Sequence, residues 1–187
     1  RKEFVHFMIR ALKKRKINVA GLDQMVLTDQ LAVMDLIAVA NFTLLPSDDL
    51  TLATVLKSPF IGMDENDLFE LAYPRGKGES LWSALLKRQS EKTSFSNAAD
   101  FLKKLTNYAD FYPPFEFFSY LLGPLRGREK LIARLGEQSN DPVDEFLNQA
   151  MKYEQNNISS MQGFLSWIEK GEIKIKRDME QGGDMVR

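Results

Sequence analysis

Apolar residues recur every three to four positions along most of the chain. Prolines, glycines and capping residues interrupt the recurrence often enough to predict about nine helices. Phe4, Phe7, Met8, Ala11 and Leu12 form the first such face. Lys13, Lys14, Arg15 and Lys16 follow it, cations suited to the negative end of a helix dipole, so residues 2–16 read as helix. Ile17 to Ala20 is short, apolar and partly β-branched, and predicts a lone strand with no partner nearby in sequence. From Thr28 to Leu45 the inward face is expected at Leu31, Met34, Asp35, Ala38, Phe42 and Leu45, with Thr28 as N-cap and Pro46 as the stop. Ser47, Asp48 and Asp49 open the next helix, which runs to Lys57 and ends before Pro59. A loop from Ser58 to Gly62 leads into a helix capped by Asp64, with Asp67 three residues on and Leu68, Phe69 and Leu71 inward, a helix-loop-helix arrangement. Tyr73 to Gly78 is a loop, and Leu81, Trp82, Leu85 and Leu86 mark a helix over 80–88. A polar linker near 90–96 follows.

The second half continues in the same way. Ala98, Phe101, Leu102, Leu105, Tyr108 and Ala109 predict a helix over 96–111, broken by Pro113 and Pro114. Phe115 to Leu122 is apolar on nearly every side. A short basic helix from Arg126 to Leu135 stops at Gly136. Asp141 is the expected N-cap of the next, with Pro142 at its first position and Val143, Phe146, Leu147, Ala150, Met151 and Tyr153 inward. Ser159 or Ser160 opens the last helix, through Met161, Phe164, Leu165, Trp167 and Ile168 to Gly171. Beyond it, Ile173 and Ile175 alternate with Lys174, Lys176 and Arg177, and the tail is polar. No period repeats, so the expected fold is all-α: an irregular multi-helix domain with one or two short orphan strands.

Composition narrows the possible chemistry. The 187 residues are 44% hydrophobic and 27% charged, enough to bury one sizeable core without metals or crosslinks. Lys plus Arg number 25 against 26 Asp plus Glu, so any attraction for nucleic acid must be local. The chain has no cysteine, which excludes disulfides and thiolate ligation and agrees with a reducing, cytoplasmic setting. His6 is the single histidine and is expected on an exposed helix face; no metal site is anticipated. No apolar run approaches the roughly 18–20 residues of a membrane span, and the first residues lack a signal-peptide pattern. Arg1 already stands inside an amphipathic helix, the pattern expected of a piece of a longer protein.

Three stretches of the first half carry a family likeness. They are Gly21 to Asp35 (Gly-Leu-Asp-Gln-Met-Val-Leu-Thr-Asp-Gln-Leu-Ala-Val-Met-Asp), Leu45 to Ala53 (Leu-Pro-Ser-Asp-Asp-Leu-Thr-Leu-Ala) and Leu56 to Gly62 (Leu-Lys-Ser-Pro-Phe-Ile-Gly). Together they resemble UvrD-like superfamily 1 DNA helicases, and within these the AddA-type helicase and nuclease subunits of double-strand break repair. Asp141 to Leu147, Gln162 to Leu165 and Ile175 to Glu180 are similar to the stretch that precedes helicase motif V. The resemblance implies that residues 1–21 flank the second motor domain, 22–178 form a helical insertion like subdomain 2B, and 179–187 lead toward motif V. It implies a parent that is an ATP-dependent helicase and exonuclease using ATP and Mg. The chain itself has no Gly-x-x-x-x-Gly-Lys-Ser/Thr phosphate loop, so no cofactor and no catalytic residue are expected within it. The implied partners are duplex or forked DNA, the motor and nuclease domains of the parent, and a second subunit of the complex.

The same likeness marks Phe60-Ile61-Gly62 as the counterpart of a Gly-Ile-Gly-type loop that touches duplex DNA, with Phe60 where the family has glycine. A tight loop before a helix N-terminus presents backbone N–H groups to a phosphate, and Lys57 and Ser58 add a charge and a hydroxyl. The DNA-binding candidates are therefore Lys57, Ser58, Ile61 and Gly62, together with the basic cluster Arg126, Arg128, Lys130 and Arg134. Asp64, Glu65 and Asp67 lie close by and repel phosphate; the plainer alternative is an ordinary turn with Ile61 in the core. Lys13 to Lys16 and Lys174, Lys176 and Arg177 are smaller clusters, readable equally as solvated faces. Phe111, Tyr112, Phe115, Phe117, Phe118 and Tyr120 read first as core, then as a docking patch or base-stacking platform. The acidic pairs Asp48–Asp49 and Asp64–Glu65 are explained by capping. A rival to the helicase reading is a helical protein-interaction module without direct DNA binding.

Overall fold

The computed structural model describes residues 24–73, 75–171 and 174–176. Helix 2–16, strand Ile17 to Ala20, His6, the Lys13 to Lys16 cluster, Arg177 and the tail lie outside the described residues. The fold is all-α. Nine α-helices are present among the described residues: α1 (Leu31–Leu44), α2 (Asp49–Lys57), α3 (Glu65–Ala72), α4 (Leu81–Arg88), α5 (Thr93–Ala109), α6 (Pro114–Leu122), α7 (Gly127–Leu135), α8 (Asn140–Asn156) and α9 (Met161–Lys170). Short 3-10 turns precede α1, at Leu27–Asp29, and α8, at Glu137–Ser139.

Two three-residue strands, β1 (Gln24–Val26) and β2 (Lys174–Lys176), pair antiparallel with Met25 opposite Ile175. The alternation after Gly171 thus becomes a strand. Its partner was illegible, because three residues are too few to display a period of two. The pairing sets the start and finish of the helical body side by side.

Helix α1 sits at the centre and packs against α2, α5, α7, α8 and α9. The face expected inward is partly the wrong one: Leu31 is 64% exposed, and Met34 and Leu45 are also exposed. Phe42 is buried as expected, and Val33, Leu36, Val39 and Ala40 are buried in place of the others. The helix is apolar on all sides, so spacing alone cannot say which side the protein covers.

Capping follows local chemistry in most places. The Asp48 carboxylate accepts from the Leu50 and Thr51 N–H groups, Asp64 from Asp67 N–H, Ser80 from Ser83 N–H and Ser160 from Gly163 N–H. Two expected caps fail. Gln30, in extended conformation, precedes α1 while Thr28 lies in the 3-10 turn, and α8 begins at Asn140, leaving Asp141 within its first turn. In both cases a 3-10 turn runs directly into the helix and shifts the boundary. Helix α5 begins at Thr93 rather than 96, so the expected linker is mostly helix. Phe69 and Met151, expected inward, are exposed; Phe69 stacks on Tyr73 at the surface.

Aromatic edges hold each half of the core together. Phe42 of α1 meets Trp82 of α4 at 5.3 Å and 75°, while Phe118, Phe146 and Phe164 bring α6, α8 and α9 together at 4.7–5.9 Å. Helix α7 approaches α6 so closely that a Cβ on Gly127 would stand 2.5 Å from the Leu121 carbonyl oxygen and 3.1 Å from the Phe60 ring. The nearest obstacle is backbone and cannot step aside. Gly127→Ala is expected to lower unfolding free energy by about 1–3 kcal/mol, as overpacking does. A urea-denaturation midpoint equal to that of the unsubstituted chain would show that α7 does not pack this tightly.

Candidate functional site

The α2–α3 loop is a self-contained turn. Ser58 N–H donates to the carbonyls of Thr54 (3.0 Å) and Val55 (3.2 Å), and the Ser58 carbonyl accepts from Ile61 N–H (3.2 Å) and Gly62 N–H (2.8 Å). Met63 N–H donates to the Leu56 carbonyl at 2.8 Å. The N–H groups of residues 61–63 therefore point inward, and the backbone grip on phosphate expected from sequence is not available there. Ser58 also leaves the set of surface donors: it is buried and its Oγ donates to the Val55 carbonyl at 2.7 Å.

Phe60, not Ile61, supplies the core residue. It is 1% exposed and lies against α7, while Ile61 is half-buried. Phe60 thus does not obstruct the surface. Gly62 is exposed, and its φ of +71°, with open space around its Cα, is the conformation a glycine adopts at little cost.

The basic helix and this loop, 70 residues apart in sequence, form one surface. Lys130 Nζ donates to the Phe60 carbonyl at 2.7 Å and stands 5.1 Å from the centre of the Phe101 ring. Arg134 Nη1 donates to the Lys57 carbonyl at 2.8 Å. Partial burial lowers the Lys130 pKa, and the nearby Arg126 guanidinium lowers it further. Around Lys130 opens a cleft of about 570 Å³, lined by the 60–64 loop, Asp67, and Ser94, Asn97 and Phe101 of α5.

The remaining candidates are held by carboxylates. Lys57 pairs with Glu65, Arg126 with Glu129 at 2.6 Å, and Arg128 with Asp144 at 2.5 Å and Asn140 at 3.1 Å. Arg126 is also the one described non-glycine residue with a positive φ, +57°, which starts α7 from a left-handed turn. Asp67 and Glu70 are both engaged by Lys92. Among the described residues, no group of acidic or histidine side chains is arranged to hold a metal ion, and no helix is long and apolar enough to cross a membrane.

Sequence reasoning missed Asp35 as part of this region. On α1 it is half-buried, and burial pushes its pKa up to about 6 against the opposing pull of Arg134. A carboxylate amid the Leu31, Met34 and Ala38 spacing was the available signal, but it read as one polar break in an apolar face.

No family model matches the sequence, and no curated protein matches it.

The raised Asp35 pKa has a definite sign. Its ordinary value is 3.8, so between about pH 4 and 6 the folded chain holds this proton more tightly than the unfolded chain. The Asp35 contribution to stability is therefore largest below pH 4, falls as pH rises through this window, and is constant above it. Asp35→Asn is expected to be more stable than the unsubstituted chain at pH 7, the difference vanishing toward pH 4. Urea midpoints across this range check it; a difference that does not change with pH would remove Asp35 as the titrating group.

Proposed function

We propose that the chain is a helical accessory subdomain, like subdomain 2B, of an AddA-type helicase of the UvrD-like family, and that it holds duplex DNA by its phosphate backbone. The observation that carries the DNA contact is the convergence of Lys130 and Arg134 on the carbonyls of Phe60 and Lys57 beside exposed Gly62. Each cation donates to a neutral carbonyl and neither is in an ion pair among the described residues, so its charge is more available to a phosphate than that of a carboxylate-bound cation, although Asp35 acts on Arg134 through space. Lys57, Arg126 and Arg128 sit around them in surface ion pairs, which are worth about 0–1 kcal/mol and can be exchanged for phosphate contacts.

The antiparallel β1–β2 pair supports the insertion part of the reading. A body whose two ends leave together can be inserted in a host domain without distorting it. In this reading ATP hydrolysis and nuclease chemistry reside in other domains of the parent helicase and exonuclease. This chain supplies positioning on duplex or forked DNA, and a second subunit and the motor are its protein neighbours.

A second reading, a protein-interaction module, is favoured by one observation: Leu31 and Met34 on α1, and Leu45 just beyond its end, leave apolar surface open. Fluorescence anisotropy of a labelled forked duplex separates the two. DNA contact predicts affinity that falls steeply with salt, and Lys130→Gln with Arg134→Gln, which keep donors but remove charge, should reduce the log–log salt slope by about 2. Salt-insensitive binding, or none, favours the interaction module. The chain alone is expected to show no ATPase activity above background, and measurable turnover would overturn the placement of ATP chemistry elsewhere.

A further inference from the structure

Three tyrosines stack in series where α5 meets α6. Tyr108 lies between Tyr112, at 3.9 Å and 11°, and Tyr120, at 4.1 Å and 10° between ring centroids and planes. Spacing makes the stack: Tyr108 and Tyr112 are four residues apart, and the Pro113–Pro114 break turns the chain so that Tyr120 of α6 closes the other side. Tyr112 is 45% exposed, and Phe111 beside it is 82% exposed. Phe117 and Phe118, from the same aromatic run, are buried core.

The surroundings carry negative charge. Glu116 is exposed and stands one turn before Tyr120 on α6, close enough to contribute to a raised Tyr108 pKa, which is due first to burial and then to Tyr112 and Tyr120. Glu154 of α8 reaches the start of α6 and accepts from Phe115 N–H at 2.6 Å; burial raises its pKa, and Glu116 raises it further. Asp110 lies between the tyrosines in sequence and is exposed. Ten ion pairs join described residues, and none includes Asp110, Glu116 or Glu154. Two cations stand near this group in sequence, Lys104 one turn before Tyr108 on α5 and Lys152 two residues before Glu154 on α8, and neither is in an ion pair with these carboxylates.

We propose that the exposed end of the tyrosine stack at Tyr112, with the exposed carboxylates of Asp110 and Glu116 two and four residues away along the chain, is a docking surface for an arginine side chain of a partner protein. Ring faces are electron-rich, and the outward face of a stacked series attracts a planar cation, which a guanidinium satisfies by lying flat while its edge donates to a carboxylate. The same carboxylates repel a phosphodiester backbone, so the platform selects against single-stranded nucleic acid although a base could stack on it. This surface is independent of the Lys130–Arg134 surface and of the helicase reading.

The test is an NMR titration of the isotopically labelled 187-residue chain at low salt with an acetylated, amidated tetra-arginine peptide. The expected result is shifts centred on Tyr108, Tyr112, Glu116 and Tyr120, with binding about three- to fivefold weaker for Tyr112→Ala and for Glu116→Gln. A tetra-lysine peptide should bind more weakly than tetra-arginine. Both substituted residues are exposed, so loss of fold does not confuse the outcome. Equal binding of the two peptides, unchanged affinity in both variants, shifts centred elsewhere, or tighter binding of a short oligothymidylate at these resonances would each overturn the proposal.

Discussion

Helix α1 has apolar residues on every side, and water cannot be left against most of them. Burying one such helix requires partners all around it, and α2, α5, α7, α8 and α9 supply them. Six of its fourteen residues are buried, among them Leu36, Val39 and Phe42 with no exposed surface. The other helices are shorter or more amphipathic, and each turns its apolar stripe toward this axis or toward a neighbour that touches it. The Leu31 and Met34 side is where that covering stops.

The candidate DNA surface is a consequence of the same packing. Phe60 enters the core under α7, Gly127 lets α7 come within contact of α6 and of the Phe60 ring, and the basic side of α7 is thereby laid along the loop. Lys130 and Arg134 then close the arrangement through two carbonyls. Position and charge are coupled here: the cations that a phosphate would meet are also the groups that tie the loop to the helix.

Charge is distributed unevenly despite a net value of −1. Around α3 and α4 the acids are matched by Lys57, Lys87, Arg88 and Lys92 in ion pairs. Near the tyrosine stack Asp110, Glu116 and Glu154 have no such partner among the described residues. The molecule thus offers two surfaces of opposite character, a loop held by cations and an aromatic end edged by carboxylates, and global composition conceals both.

Sequence alone determined what short-range chemistry controls. The all-α class, the caps at Asp48, Asp64, Ser80 and Ser160 and the helix stops at Pro46 and Gly136 follow from periodicity and capping within a few residues, and Lys130 and Arg134 enter the candidate set by charge, whereas Lys57 and Gly62 enter it only through the family resemblance. Tertiary structure alone decided which side of α1 is covered, that Phe60 rather than Ile61 fills the core, that Ser58 and the 61–63 N–H groups turn inward, and that the Arg134 charge comes within reach of the half-buried Asp35 carboxyl. It also decided that Tyr108, Tyr112 and Tyr120 align in one stack. The reason is physical: a helix dipole, a cap or a proline acts within one turn, whereas burial and pairing depend on which distant segment arrives. A helix apolar on all sides, or an aromatic run that is part core and part surface, carries no local mark of that choice.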